Sequence, residues 1–229
     1  MPIPFQLLRT IPLLQSLSQE QLLRLSTQMV LRQFARREVV CSKEQAHFEL
    51  GFLLEGRLQG VDFTVDGRGV GLYFLDTGDY FGELSIIDDL RSAEHVIAVA
   101  RSTSVFLDAV PARRLIVEHP EIAQSVMARL AARVRDMSVQ RTLLALPNPF
   151  QRLCVQLLLL ASHDRLCLDP APTHQELAMM INTSRETVTR AFQALMLHET
   201  IRRDGGRLLL LRRDYLEDIG AGRVEPPRT

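Results

Sequence analysis

At 229 residues, with no net charge and 46% apolar residues, the chain has room for two domains, each with its own core. No run of about 18 apolar residues offers a transmembrane helix, and the N-terminus MPIPFQLLRTIPLL lacks the basic start and apolar stretch of a signal peptide, so a cytoplasmic protein is expected. Three cysteines without paired spacing argue against a disulfide framework and fall short of the four thiolates of a typical iron–sulfur cluster.

In chain order, Ser18 and Gln21 form a capping box that predicts a helix over Glu20–Met29. From Val30 to Val110 the pattern turns to short strand-like segments, including Glu38–Cys41, Phe52–Glu55, Leu58–Thr64, Gly69–Leu75, Glu94–Val99 and Val105–Ala109. Gly56, Asp66-Gly67 and Thr77-Gly78-Asp79 punctuate them as turns, which points to a small β-barrel or jelly roll. Inside it lies GDYFGELSIIDDLRSA, Gly78 to Ala93. Bare backbone at Gly82, a carboxylate at Glu83 and a cation with a hydroxyl at Arg91-Ser92 suit a ligand carrying both sugar hydroxyls and a phosphate. An ion pair between Glu83 and Arg91 on a barrel rim is the structural alternative.

A short helix is expected at Ala112–Glu118 and a long one over Glu121–Leu146. Along the latter, Met127, Leu130, Val134, Met137, Arg141 and Leu144 recur at spacings of three and four, an a/d pattern that fits either a coiled-coil dimer seam or packing within one chain. Arg141 in that stripe must snorkel or pair with an acid. Pro147-Asn148-Pro149 stops the helix and marks a hinge. An apolar helix, Phe150–His163, follows.

Thr173 and Glu176 form a second capping box, Asn182 suits a left-handed turn, and Ser184 caps another helix. On that helix Val188, Ala191, Phe192 and Leu195 make one apolar stripe, while Arg185, Glu186, Thr189 and Arg190 share the opposite face. This is the pattern of a helix-turn-helix whose exposed face can read base edges: arginine forks match guanine O6 and N7, and a carboxylate accepts from cytosine N4. A solvated face with a Glu186–Arg190 pair is the plainer alternative. Nearly all positive charge is arginine, Lys43 being the only lysine, which suits bidentate contacts, while the neutral balance predicts modest non-specific DNA affinity. Thr200–Arg203, a Gly205-Gly206 turn and Arg207–Leu211 read as the hairpin of a wing, with Arg202, Arg203 and Arg207 near phosphates. Tyr215–Ile219 reads as one helical turn and GAGRVEPPRT as a disordered tail.

The order GEL…RSA in a β-roll, then a long helix, then SRETVTR in a helix-turn-helix resembles the cyclic-AMP receptor/FNR family of bacterial transcription regulators, over about Ile11 to Leu211. The fold expected from the resemblance is α+β: a cyclic-nucleotide-binding-type β-roll (jelly roll) over 1–119, a dimerisation helix and hinge over 120–147, and a winged helix-turn-helix over 148–229. It implies a homodimer binding palindromic, TGTGA-like half-sites under control of a cyclic nucleotide such as cyclic AMP. It further implies ribose contacts at Gly82 and Glu83, phosphate contacts at Arg91 and Ser92, a base near Met137 and Ser138, and Leu84 within the same nucleotide site. DNA contacts fall to Thr173, Ser184, Arg185, Glu186, Thr189 and Arg190, and dimer contacts to the a/d set. Two departures stand out. The loop between Glu83 and Arg91 is shorter than in the cyclic-AMP receptor, and Met137-Ser138 stands where the receptor has Thr-Ser, which leaves the base identity open.

The same DNA-binding architecture could instead answer to cyclic di-GMP, a redox signal, a gas or no ligand. A metal-dependent β-roll enzyme is the remote alternative, but only His47 and His95 fall within the barrel segment, in no ligand spacing. No catalytic residue, metal or cofactor is expected. Activation or repression, the target genes and contacts to RNA polymerase stay open.

Overall fold

Ser18 and Gln21 cap each other as their spacing predicts. The Gln21 N–H donates to Ser18 Oγ at 3.3 Å, and Gln21 Oε1 accepts from the Ser18 N–H at 2.7 Å. The computed structural model describes residues 3–43, 48–161 and 166–227. The chain divides into two compact units, Met1–Gly67 with Leu72–Val134, and Arg68–Gly71 with Arg135–Thr229.

The first unit opens with α1 (Phe5–Leu8), a 3₁₀ turn at Pro12–Leu14 and α2 (Gln19–Ser26). Strands β1 (Met29–Phe34), β2 (Val39–Cys41), β3 (Glu49–Glu55), β4 (Leu58–Phe63), β5 (Gly69–Leu75) and β6 (Tyr80–Phe81) follow, then α3 (Glu83–Asp88), β7 (His95–Ala98), β8 (Ser102–Asp108), α4 (Ala109–Glu118) and α5 (Pro120–Leu144). Helix α2 ends earlier than its capping box suggested, because Met29 is claimed by β1, where it pairs with Leu107 and is buried. Two four-stranded sheets form, in the orders β1-β8-β3-β6 and β2-β7-β4-β5.

Phe34, Leu53, Leu58, Leu75, Phe81, Val96 and Phe106 fill the space between the sheets, with Phe106 edge-to-face against both Phe34 and Phe81. The opposite face of the first sheet, carrying Met29, Leu50, Phe52 and Leu107, packs with the N-terminal helices, Ile86 of α3, Leu115 of α4, and Ile122 and Val126 of α5. Burial on both faces explains why β3 and β8 are runs of buried residues rather than alternating ones. Helix α4 begins at Ala109, earlier than expected, and Pro111 is tolerated because a first-turn N–H has no intrahelical partner to lose.

In the second unit α6 (Pro149–Leu160) starts with proline at its first position, where the missing N–H costs nothing; Asn148 Oδ1 accepts from the Phe150 N–H at 2.8 Å. The expected end of this helix at His163 lies outside the described residues. Next come β9 (Cys167–Leu168), α7 (His174–Met180), α8 (Arg185–Leu197), β10 (Ile201–Asp204), β11 (Arg207–Leu210) and α9 (Arg213–Gly220). The sheet order is β10-β11-β9, so the predicted hairpin gains a third strand. Leu153, Leu157, Leu177, Val188, Phe192, Leu195, Leu208, Leu216 and Ile219 are buried.

The tail is more ordered at its start than composition suggested. Gly220 is buried, and the N–H groups of Ala221, Gly222 and Arg223 donate to the carbonyls of Glu217, Ile219 and Asp218. No helix among the described residues is long and apolar enough to cross a membrane.

Candidate effector site and nucleic-acid interface

Gly82 joins β6 to α3 in a left-handed conformation, φ 85°. A Cβ there would stand 2.3 Å from the Glu49 carbonyl oxygen, so only glycine fits both the dihedral and the approach. The next residue, Glu83, is thereby turned inward and is 1% exposed. Its Oε1 lies 3.0 Å from Arg133 Nη1 on α5, not beside Arg91. The pair is close but poorly aligned: both Glu83 carboxylate oxygens, Arg133 Nη2 and the Tyr80 hydroxyl are buried without a hydrogen-bond partner among the described residues. Buried polar groups are normally satisfied, so such a cluster marks a place where a polar ligand or water completes the set.

Arg133 also stacks over the Tyr73 ring at 4.1 Å and stands 3.8 Å from Glu94, whose carboxylate accepts from the Tyr73 hydroxyl. Burial alone would lower the Arg133 pKa, but Glu83, Tyr73 and Glu94 outweigh it and raise it. Burial, followed by the charge of Glu94, pushes the Tyr73 hydroxyl up. Burial pushes Tyr80 up to about 12 against the lowering effect of Arg129, whose guanidinium lies over the Tyr80 ring at 4.2 Å and pairs with Asp79 at 3.0 Å.

Arg91 is exposed, and its guanidinium forms no ion pair with the described residues, which leaves its planar donors open to an anion. Ser92 is less free: its hydroxyl donates to the Glu94 carbonyl at 2.7 Å; it also partly offsets the upward push that burial gives the Cys41 thiol. Leu84 is half-buried. A cavity bounded by Cys41, Glu49, Gly82, Ser85 and Ser92 holds about 20 Å³, room for a single water. The structure thus brings Gly82, Glu83, Leu84, Arg91 and Ser92 into one unit. Met137 and Ser138 lie in the second unit, on the exposed surface of α5.

Of the expected seam, Met127, Val134 and Met137 are 62%, 64% and 71% exposed, and Arg141 and Leu144 are also exposed. Leu130 differs, being half-buried against the core of the first unit.

In the second unit the helix-turn-helix forms as its local signals predict. Thr173 and Glu176 cap α7 reciprocally, Asn182 has φ 49°, and Ser184 Oγ accepts from the Thr187 N–H at 3.1 Å. The hydroxyls of Thr173 and Ser184 are therefore engaged in capping. Arg185, Glu186 and Arg190 are exposed on α8, and no ion pair links Glu186 to Arg190. Its own backbone N–H and the Ser184 hydroxyl hold the Glu186 carboxyl below its ordinary value, so it stays a charged acceptor.

Thr189 is half-buried, donating to the Arg185 carbonyl and meeting His174 Nδ1, both at 2.9 Å. With the Thr189 proton so committed, His174 supplies the donor from Nδ1. Burial, then the charges of Arg203 and Arg185, lower the His174 pKa.

Sequence reasoning missed Arg152. It donates to the carbonyls of Leu146 at 2.7 Å, Ile181 at 2.9 Å and Asn182 at 3.4 Å, tying the segment between α5 and α6 to the turn between α7 and α8. It equally missed Tyr73, Glu94, Arg133 and His174, whose side-chain partners are remote in sequence. In the wing Arg202, Arg203 and Arg207 are exposed, with Arg207 paired to Asp169 at 2.8 Å.

The family model described as a cyclic nucleotide-binding domain matches residues 31–119, and the one described as a Crp-like helix-turn-helix domain matches residues 151–219. The "cAMP-activated global transcriptional regulator CRP" of Pasteurella multocida is 31% identical over 64% of this chain and 73% of that protein. The "Cyclic AMP receptor protein" of Thermus thermophilus is 29% identical over 76% of this chain and 80% of its own. The structure of FixK2 from Bradyrhizobium japonicum superposes with a TM-score of 0.71 at 16% identity, covering 83% of this chain and 96% of that one, a likeness of fold. These relatives are transcription regulators rather than enzymes. A nucleotide-binding β-roll followed by a helix-turn-helix with an exposed Arg-Glu-Arg face, matched by both models and by these relatives, makes this chain a DNA-binding transcription regulator of the cyclic-AMP receptor/FNR family.

Proposed function

We propose that the protein is a homodimer that binds inverted repeats of TGTGA-like half-sites and takes a cyclic nucleotide, cyclic AMP first, as its effector. In this reading residues 1–119 sense the effector, 120–147 dimerise and hinge, and 148–229 bind DNA, with RNA polymerase as a further partner. The observation that carries the effector is the buried, unsatisfied set of Glu83, Arg133 and Tyr80 in the same unit as the open Arg91. The carboxylate accepts from ribose hydroxyls, and Arg91 supplies the counter-charge to a cyclic phosphate. That two relatives are named for cyclic AMP supports the choice.

DNA reading falls to Arg185, Glu186 and Arg190, exposed on one face of α8. The exposed apolar residues of α5 support pairing through Met127, Val134 and Met137. Effector control requires that the ligand prefer one arrangement of the protein over another, since equal affinity for both would shift nothing.

A thermal-shift panel with cyclic AMP, cyclic GMP and cyclic di-GMP tests the effector. At 100 times its dissociation constant a specific ligand stabilises the fold by about 2.7 kcal/mol. A shift with cyclic di-GMP alone, or with none of the three, would replace cyclic AMP with another signal.

A further inference from the structure

Two carboxylates share one guanidinium in the first unit. Arg133 Nη1 stands 3.0 Å from Glu83 and 3.8 Å from Glu94. Glu94 is held there from two sides. Its carboxylate accepts from the Tyr73 hydroxyl, and its carbonyl accepts from Ser92 Oγ at 2.7 Å, so the backbone that carries Glu94 is fastened to the candidate phosphate residue itself. Tyr73 in turn is fixed by close packing, since a Cβ on Gly60 would lie 2.6 Å from its ring, and the Arg133 guanidinium lies over that ring, 4.1 Å from its centre. The Glu94 side chain is 15% exposed against 1% for Glu83, so Glu83 is the more deeply buried of the two.

The two carboxylates have different consequences for a ligand. Glu83 offers acceptors with no hydrogen-bond partner among the described residues, which sugar hydroxyls can fill. Glu94 already has a donor in Tyr73 and draws on Arg133. An anion held by Arg91 and Ser92, whose hydroxyl is bonded to the Glu94 carbonyl, would bring a third negative charge toward a guanidinium that two carboxylates already share, and nearby like charges disfavour one another.

We propose that Glu94, held by Tyr73, tunes the affinity of this site: an internal anion two residues from Ser92 whose charge opposes the phosphate that Arg91 and Ser92 would hold, and so weakens nucleotide binding. This rests on the cyclic-nucleotide reading of the site. Weak intrinsic affinity follows, with selection for ligands whose sugar and base contacts make up the loss.

Calorimetric titration of cyclic AMP and cyclic GMP into the full chain tests it, comparing wild type with Glu94→Gln, which keeps an acceptor for Tyr73 and removes the charge, and with Glu94→Ala, which removes both. Each variant should bind at least one nucleotide about tenfold more tightly or better. Glu83→Gln should move affinity the other way, and thermal melts of each protein establish that it is folded. Should Glu94→Gln fail to fold, Glu94→Ala carries the comparison. Equal or weaker binding by folded Glu94 variants, with wild type still binding, overturns the role of Glu94 alone. Absence of binding by every protein overturns the cyclic-nucleotide reading and this inference with it.

Discussion

The Glu83 carboxylate and the Arg133 guanidinium meet at 3.0 Å inside the first unit, one from α3 and the other from α5. The pair is a buried charge couple whose hydrogen-bonding capacity is left over. Breaking one side of such a pair strands the other charge, whereas removing both does not. Arg133→Met should therefore destabilise the first unit by about 3 kcal/mol or more. The double variant Glu83→Gln with Arg133→Met should recover most of that loss. Calorimetric unfolding of the two proteins checks it, and a double variant as damaged as the single one would mean that Arg133 contributes chiefly through Glu94 and its packing on Tyr73 rather than through Glu83.

Arg91 is exposed and makes no ion pair with the described residues, so its removal costs the fold little. Arg91→Leu should leave the melting temperature nearly unchanged while abolishing the thermal shift given by a cyclic nucleotide, because leucine cannot replace the two-pronged, charge-assisted hydrogen bonds of a guanidinium to phosphate. A retained shift would move the phosphate elsewhere.

Glu186 projects from α8 away from Val188 and Phe192, which are buried. Glu186→Ala should leave stability nearly unchanged and relax the preference at one base pair by about 1–3 kcal/mol, read by competition binding to single-base variants of a TGTGA-like site. Because its carboxyl is held below its ordinary value, the wild-type preference at that base pair should persist as pH falls into the usual carboxylate range.

His174 gives the second unit a pH dependence near neutrality. Its folded pKa is lowered, chiefly by burial, so the unfolded chain binds the proton more readily. The associated stability is fully present above the ordinary histidine value of about 6.5 and is lost as pH falls from there toward the folded value. Amide protection factors in α7 and α8, corrected for the intrinsic pH dependence of exchange, should fall over that window in wild type and much less in His174→Gln. Identical profiles would place the titration on another group.

Met127→Asp with Val134→Asp replaces two exposed apolar residues of α5 and should give monomers by sedimentation, with no binding to inverted repeats, because a paired seam cannot hold facing carboxylates. Leu130 is the wrong position for this test, since it packs on its own unit's core and its loss would confound folding with assembly. A doubly substituted chain that remains dimeric would put the interface on another surface.

The features that were legible in the sequence depend on residues a few positions apart. The capping boxes at Ser18 and Thr173, the Ser184 cap and the left-handed Asn182 all form where spacing placed them. So does the helix stop before Pro147 and Pro149, because hydrogen-bond reach and proline geometry operate within one turn. Long-range closure decided the rest. The two-residue strand β9 exists only because β11 pairs with it, and α2 stops short because β8 draws Met29 into a sheet. Sequence alone offered Arg91 as the natural partner of Glu83, as the nearest arginine along the motif. The tertiary structure chose otherwise: the left-handed Gly82 turns Glu83 inward to Arg133, and Arg91 stays at the surface. Residue types and local spacing singled out the candidate cassette from Gly82 to Ser92 and the exposed charged face of α8. Only the folding of distant segments onto one another could determine which charges are buried together, because burial and counter-charge are properties of the packed chain rather than of any stretch within it.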